Sequence, residues 1–170
     1  MKITVLQGSA RLGGNTARLV AKFKEGAESA GHTVEVVNVG IMKINGCIGC
    51  EYCHTKGNGE CVQKDDMQKV YPALADCDLL VIASPVYYWS FTGQIQSTIT
   101  RFYAPEKPKA TKYAMIITSH SPNVYDAITS QFKDVVDYFG AESVGIITAN
   151  GDERTSAEKL KEVFDFGANL

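Results

Sequence analysis

Short apolar runs alternate along this chain with segments whose apolar residues recur at helical spacing. The run at 78–84, DLLVIAS, is almost continuously apolar, which is typical of a strand buried on both faces of a sheet. The predicted strands cover residues 2–6, 33–39, 78–84, 112–118 and 143–148. Strands that alternate with helices predict an α/β fold with an open parallel sheet, right-handed crossovers and helices on both faces.

The helical segments carry their own start and stop signals. The predicted helices cover residues 15–30, 65–75, 91–103 and 124–139, with a fifth after residue 155. Gly31 follows the first helix where glycine often ends one, and Thr155 with Glu158 has the spacing of a capping box. Ligands of such sheets bind at the carboxyl ends of the strands, so the loops that follow the strands are the candidate site.

The bulk composition narrows the function classes. At 170 residues, with 45% apolar and 21% charged residues, the chain is expected to form a single domain, residues 1–170. A net charge of −2 gives no electrostatic footprint for nucleic acid or a membrane surface. The start MKITVLQGSA reads as a strand and turn without a secretory leader, so a cytoplasmic location is expected.

A glycine-rich turn, GSARLGGNT, follows the first strand. Glycines let the backbone approach a ligand, and free N–H groups at a helix N-terminus favour a phosphate. The candidate phosphate ligands are Ser9, Arg11, Gly14, Asn15 and Thr16. The G-x-G-x-x-G and Walker patterns are both absent from the sequence, so a monophosphate such as that of FMN is favoured. The alternative is a tight turn with no ligand.

Three adjacent aromatic residues follow the third strand and could cover a flat ring. The candidate ring-binding residues here are Pro85, Val86, Tyr87, Tyr88 and Trp89. Ser119 and His120, after the fourth strand, are predicted to face the same ligand through its polar edge. The alternatives are aromatic packing on the sheet edge, or packing of Trp89 at an oligomer interface.

Four of the five cysteines fall in one segment, the cysteine loop (residues 40–64). Cys47, Cys50, Cys53 and Cys61 form C-x2-C-x2-C followed by a fourth cysteine after seven residues. Four thiolates suit a [4Fe–4S] cluster. A four-cysteine zinc site, a redox-active dithiol at Cys50 and Cys53, and plain reduced thiols are the alternatives. Cys77, before a core strand, is expected to be a small buried apolar residue.

These segments together resemble the iron–sulfur flavoproteins and the NAD(P)H-dependent FMN reductases. GSARLGGNT is similar to the family's phosphate loop, SPVYY to its isoalloxazine loop, and CIGCEYC…GECVQKDDM to its compact cysteine segment. The resemblance implies a flavodoxin-like three-layer sandwich with strand order 2-1-3-4-5. It also implies FMN, a [4Fe–4S] cluster, NAD(P)H as cosubstrate, and a homodimer or homotetramer.

One departure from the family pattern concerns the helix after the aromatic loop. Relatives often carry Lys, and Asp before Arg, where this chain has Gln96 and Thr100 ahead of Arg101. The departure argues against a salt bridge at the end of that helix, and it leaves flavin binding unaffected.

The expected function is an FMN-dependent oxidoreductase that takes electrons from NAD(P)H. The expected partners are a small-molecule acceptor, such as a flavin or a quinone, or a redox carrier protein. Because flavin hydride transfer demands no protein acid or base, no catalytic residue is assigned. The alternatives are an electron-transfer flavoprotein without turnover and a redox-responsive binding protein that uses zinc or thiols.

Overall fold

The computed structural model describes residues 1–104 and 108–170. Its five strands are all parallel and lie in the order β2-β1-β3-β4-β5, as the resemblance predicted. The strands are β1 (Lys2–Gln7), β2 (Thr33–Val37), β3 (Leu79–Pro85), β4 (Lys112–Ser119) and β5 (Glu142–Asn150). In register, Ile3 of β1 lies between Val34 and Leu79 of the two neighbouring strands.

Helices cover both faces of the sheet and complete a flavodoxin-like three-layer sandwich. They are α1 (Asn15–Ser29), α2 (Met67–Ala75), α3 (Gly93–Thr100), α4 (Asp126–Tyr138) and α5 (Ala157–Ala168). Helices α1 and α5 pack in one apolar layer, and α2, α3 and α4 pack in the other. Among the described residues, none of the helices is long and apolar enough to cross a lipid bilayer.

The two apolar layers follow from side-chain alternation in the central strands. In β3, Leu79 and Val81 point into the α1/α5 layer, whereas Leu80 and Ile82 point into the other layer. All four are fully buried, which explains the continuous apolar run in the sequence. The carboxyl ends of these strands are thereby fixed at one edge of the sheet, where the candidate loops follow.

Helices α1 and α5 cross in close backbone contact. A Cβ on Gly26 would lie 2.0 Å from the Phe164 carbonyl oxygen, and one on Gly167 would lie 2.4 Å from the Phe23 carbonyl oxygen. Neither position therefore has room for a larger residue. The contact holds α1 firmly against the sheet, and α1 begins at the glycine-rich turn.

Element boundaries differ from the predictions at several ends. Ser156, and not Thr155, caps α5, because its side chain accepts from the Lys159 N–H at 3.1 Å. A capping box does form nearby, between Asn150 and Glu153 at the end of β5. Helix α3 begins at Gly93, two residues after the predicted start, because the Thr92 hydroxyl caps it.

Candidate functional site

The glycine-rich turn folds as a compact loop between β1 and α1. The Arg11 N–H donates to Ser9 Oγ at 3.2 Å, and the Gly14 N–H donates to the Arg11 carbonyl at 2.9 Å. Ser9 is buried and Arg11 is exposed, so the arginine side chain is free to reach a ligand above the loop. This is the arrangement expected for a loop that surrounds an anion.

The N-terminus of α1 has unused hydrogen-bonding capacity. Its N-cap residue is Gly14, and among the described residues no side chain caps it and no acidic residue stands in the first turn. The first N–H groups of a helix have no intrahelical partner and carry the positive end of the helix dipole. The loop therefore fits the phosphate of FMN, with Asn15 on the first turn.

Thr16 has a second role that its sequence position does not reveal. Its hydroxyl is buried and lies 2.7 Å from the hydroxyl of Thr118 near the end of β4. This hydrogen bond joins the glycine-rich turn to the strand that precedes Ser119 and His120. The sequence placed Thr118 at the end of the fourth strand, but only the three-dimensional sheet brings it next to Thr16.

The aromatic loop forms a tight two-residue hairpin. Tyr87 and Ser90 exchange two backbone hydrogen bonds of 3.0 and 3.1 Å, which leaves Tyr88 and Trp89 at the tip. Both tip residues have positive φ, 49° and 60°, a region that costs a non-glycine residue about 1–2 kcal/mol. Tyr88 is 93% exposed, so the hairpin presents its aromatic side chain outward.

The aromatic hairpin and the loop after β4 face one another across a groove. The groove has a volume of about 360 Å³ and is lined by Val86, Tyr88, Trp89, Ser119, His120, Ser121 and Val124. The structure thus brings together two segments that the sequence analysis assigned to one flat ligand. Pro85 is the last residue of β3, and Tyr87 contributes the backbone of the hairpin.

Two further segments, both missed in the sequence analysis, support the loop after β4. The Tyr125 hydroxyl lies 2.6 Å from Ser119 Oγ, and the His120 carbonyl accepts from the Gly151 N–H at 3.2 Å. Burial raises the pKa of Tyr125. The turn at Gly151 follows β5 and therefore belongs to the same edge of the sheet.

The cysteine loop is anchored on the end of α3 and on the 3₁₀ turn Arg101–Tyr103. The Cys47 N–H donates to Thr100 Oγ1 at 3.0 Å. The His54 ring packs edge-on against Tyr103, with ring centroids 4.7 Å apart, and His54 Nε2 lies 2.9 Å from the Tyr103 carbonyl oxygen. Tyr103 also donates its hydroxyl hydrogen to Glu51 at 2.8 Å. The segment that carries Cys50 and Cys53 is therefore held to the protein body.

The four loop thiols lie in one neighbourhood. Burial raises the pKa of the Cys53 thiol, and negative charge on Cys61, Cys47 and Cys50 raises it further. The Gly49 N–H points at Cys47 Sγ, 3.4 Å away. Hydrogen bonds to cysteine sulfur and the accumulation of thiolate charge are both features that a bound iron–sulfur cluster exploits.

The loop thiols do not converge as the ligands of a single ion would. Within residues 1–104 and 108–170, no three His, Cys, Asp or Glu side chains form a metal-holding group. A tetrahedral zinc ion with Zn–S bonds of about 2.3 Å would need its sulfurs in near contact. Cys47 and Cys50 are exposed, Cys53 and Cys61 are half-buried, and Cys77 is buried as predicted.

The end of α3 does carry a salt bridge, so the argument from Gln96 and Thr100 was wrong. Arg101 Nη1 lies 2.9 Å from Asp65 Oδ2, and the two side chains are 1% and 8% exposed. The acid comes from the segment after the cysteine loop, 36 positions away in the chain. Gln96 instead pairs with Gln131 of α4 and with Ser90 of the hairpin.

A second cleft of about 820 Å³ lies beside this salt bridge. It is lined by both ends of the cysteine loop and by the start of α3: Met42, Lys43, Ile44, Asn45, Lys64, Asp65, Asp66, Gly93, Gln94 and Ser97. This cleft shares no lining residue with the groove at the aromatic hairpin.

The chain matches known proteins over most of its length. The sequence profile of the NADPH-dependent FMN reductases matches residues 1–155. An iron–sulfur flavoprotein of Archaeoglobus fulgidus is 39% identical, over 100% of this chain and 79% of its own length. A second iron–sulfur flavoprotein, from Methanocaldococcus jannaschii, is 38% identical over 59% of this chain, and the match covers 50% of its own length.

A solved structure supports the same fold. The NAD(P)H:quinone oxidoreductase of Methanothermobacter marburgensis superposes with a TM-score of 0.74 over 99% of this chain and 94% of its own, at 16% identity. At that identity the similarity establishes the flavodoxin-like fold alone. The family profile and the Archaeoglobus relative establish more: the chain belongs to the NADPH-dependent FMN reductase family and is an FMN-dependent oxidoreductase.

Proposed function

We propose that this protein takes electrons from NAD(P)H through bound FMN and passes them to a small-molecule acceptor such as a quinone or a flavin. The observation that carries the proposal is the meeting of two loops at one sheet edge. The N-terminus of α1, where no side chain of the described residues forms a cap, follows the carboxyl end of β1. The aromatic groove is formed by the loops that follow β3 and β4. FMN combines a phosphate with a flat ring system, which matches this pair of surfaces.

The roles proposed for the chain's residues follow from the geometry. Ser9, Arg11, Gly14, Asn15 and Thr16 would hold the phosphate. The ring would be covered by the segment after the rigid Pro85, namely Val86, Tyr87, Tyr88 and Trp89. Its polar edge would be bound by Ser119 and His120. When bound, FMN supplies the hydride and electron chemistry. The hairpin would shield the ring from water, and the Tyr125–Ser119 hydrogen bond would hold the loop after β4 in place.

We also propose that the cysteine loop holds a [4Fe–4S] cluster. Cys47, Cys50, Cys53 and Cys61 would be its ligands. The proposal is supported by the grouping of four cysteines in one anchored loop and by the Gly49 N–H aimed at Cys47. The iron–sulfur flavoprotein names of the relatives point the same way.

The whole molecule is proposed to act as one FMN-binding domain in a homodimer or homotetramer. Exposed aromatic residues beside the cysteine loop, Tyr103 and Tyr138, give such an assembly an apolar surface. A cytoplasmic location is proposed because a reducing compartment keeps the loop cysteines available as thiolates. A redox carrier protein remains a second candidate acceptor, since Cys47 and Cys50 are exposed.

The first test is a visible spectrum of anaerobically purified protein, with iron, zinc and acid-labile sulfide counted per chain. Flavin bands over broad cluster absorbance, with about four iron and four sulfide per chain, are the expected result. Flavin bands without iron would refute the proposed cluster and would leave the proposed FMN-dependent reductase activity standing. Protein that binds FMN but consumes no NAD(P)H with quinone or flavin present would contradict the proposed turnover.

Replacing one proposed ligand separates the two cofactors. Cys53→Ser is expected to abolish the cluster absorbance and leave FMN binding within about twofold, because no residue of the cysteine loop lines the groove. The matched control is Cys77→Ala, which alters a buried cysteine outside the loop and is expected to keep the cluster. Loss of FMN in Cys53→Ser would show that the loop supports the flavin groove.

A further inference from the structure

The side chain of Arg101 is the centre of a buried polar contact between α3 and the cysteine loop. Its Nη1 donates to Asp65 Oδ2 at 2.9 Å and to the Asn45 carbonyl at 3.0 Å. Asp65 Oδ2 also accepts from the Asn45 N–H at 2.9 Å. The backbone of Asn45, two residues before Cys47, is thus held on both sides by one ion pair.

Other contacts close the loop at the same place. Asp66 and Lys43 exchange two hydrogen bonds of 2.8 and 3.1 Å, and the Gln63 side chain donates to the Gly46 carbonyl at 2.9 Å. The segment that enters the loop is therefore fastened to the segment that leaves it. Among the contacts of the described residues, the Arg101 contact is the one that fastens both segments to the body of the protein through a buried charge.

We propose that Arg101, together with Asp65, is a positioning residue that fixes the two ends of the cysteine loop before any metal is bound. Burial makes the contact selective, because a guanidinium desolvated to 1% exposure must keep its carboxylate partner. One guanidinium nitrogen, Nη1, bonds both acceptors, and a lysine in its place has a shorter side chain and no planar group to hold its nitrogen at that point. A flexible loop loses conformational entropy when it is ordered. If the loop is already ordered when the protein folds, binding of the cluster does not have to supply that free energy.

The inference rests on the proposed cluster for its purpose, but the positioning itself is measurable in metal-free protein. The experiment follows alkylation by iodoacetamide at each cysteine, by mass spectrometry, in FMN-loaded protein without iron. Asp65→Asn and Arg101→Lys are expected to speed alkylation of half-buried Cys53 and Cys61 at least tenfold. Buried Cys77 serves as an internal reporter of global opening and is expected to keep its rate.

A matched control distinguishes this ion pair from an ordinary one. Glu60→Gln removes an exposed ion pair with Lys64 in the same loop, whose side chains are 70% and 65% exposed. It is expected to leave all alkylation rates and the FMN affinity unchanged, because exposed pairs contribute little. Rates in Asp65→Asn and Arg101→Lys that equal those of wild type would overturn the proposal.

The buried substitutions could unfold the protein, and faster alkylation of Cys77 would reveal this. A milder variant at an exposed position is therefore included. Thr100→Val keeps the shape of an exposed residue and removes the acceptor of the Cys47 N–H. Alkylation of Cys47 is expected to rise severalfold while that of Cys61 stays the same, because Arg101 still holds the loop ends. A rise at both cysteines would show that Thr100, and not Arg101, anchors the loop.

Iron and sulfide uptake then separates the two proposals. After anaerobic reconstitution, Asp65→Asn and Arg101→Lys are expected to bind less than half the iron and sulfide of wild type. If wild type itself binds neither, the cluster proposal fails, and the alkylation rates still decide whether Arg101 positions the loop.

Discussion

At the scale of single residues, Arg11 and Arg101 show two different uses of the same side chain. Arg11 is exposed on the glycine-rich turn, whereas Arg101 is almost fully buried against Asp65. An exposed guanidinium can meet an incoming phosphate, since it keeps its donors available. A buried guanidinium, such as that of Arg101, donates to partners within the protein and is not available to bind a ligand.

Arg11→Ala is expected to weaken FMN binding about tenfold or more, because the turn loses its one full positive charge and hydrogen bonds to charged groups are worth roughly 1.5–3 kcal/mol. Quenching of flavin fluorescence during titration measures the affinity. Arg18→Ala, at an exposed position one turn further along α1, is the control and should bind FMN normally. An unchanged affinity in Arg11→Ala would place the phosphate elsewhere.

Arg101→Met is expected to lower the free energy of unfolding by about 3–5 kcal/mol, because it leaves the Asp65 carboxylate buried without its partner. Urea denaturation followed by circular dichroism measures the change. The double variant Asp65→Leu, Arg101→Met should recover much of the loss, since it removes both buried charges. A single variant as stable as wild type would argue that water reaches the carboxylate.

At the scale of elements, the 3₁₀ turn Val39–Ile41 after β2 supports the glycine-rich turn from the side. Gly40 lies so near that a Cβ there would be 2.5 Å from the Ser9 carbonyl carbon. The turn that leads from β2 into the cysteine loop, and includes its first residues, therefore touches the candidate phosphate site directly. Helix α3 makes a comparable link, because Gln96 in its middle binds the hairpin and Thr100 at its last position binds the cysteine loop.

Gly40→Ala is expected to displace Ser9 and weaken FMN binding more than tenfold, because the clash is with backbone atoms that cannot rotate away. Gly13→Ala is the matched control in the turn itself, where a Cβ would meet nothing within 4 Å. Isothermal titration with FMN measures both. Equal affinities in the two variants would mean that Ser9 does not contribute to the site.

At the scale of the whole molecule, the glycine-rich turn and the groove are held by one sheet, so ligand binding should stabilise the entire fold. At a concentration 100 times its Kd, FMN is expected to add about 2.7 kcal/mol to the free energy of unfolding. Riboflavin at the same concentration should add less, because it lacks the phosphate. Equal stabilisation by the two, measured by thermal denaturation, would contradict a phosphate site at the N-terminus of α1.

The sequence by itself determined the α/β architecture, and it pointed to the loops that we propose carry function. Side-chain periodicity and the apolar run of β3 predicted a parallel sheet, and the resemblance supplied its strand order. The ends of elements were less well predicted, as the cap at Ser156 shows. A cap depends on one hydrogen bond, and Thr155 and Ser156 are both suitable residues for it.

Only the tertiary structure decided which distant residues meet. The Thr16–Thr118, Ser119–Tyr125 and Asp65–Arg101 contacts join segments that no local pattern relates. The last of these reversed an expectation, since the missing acid before Arg101 is replaced by one from across the fold. Periodicity reports which face of an element is buried, whereas the choice of partner for a buried charge depends on the packing of the whole chain.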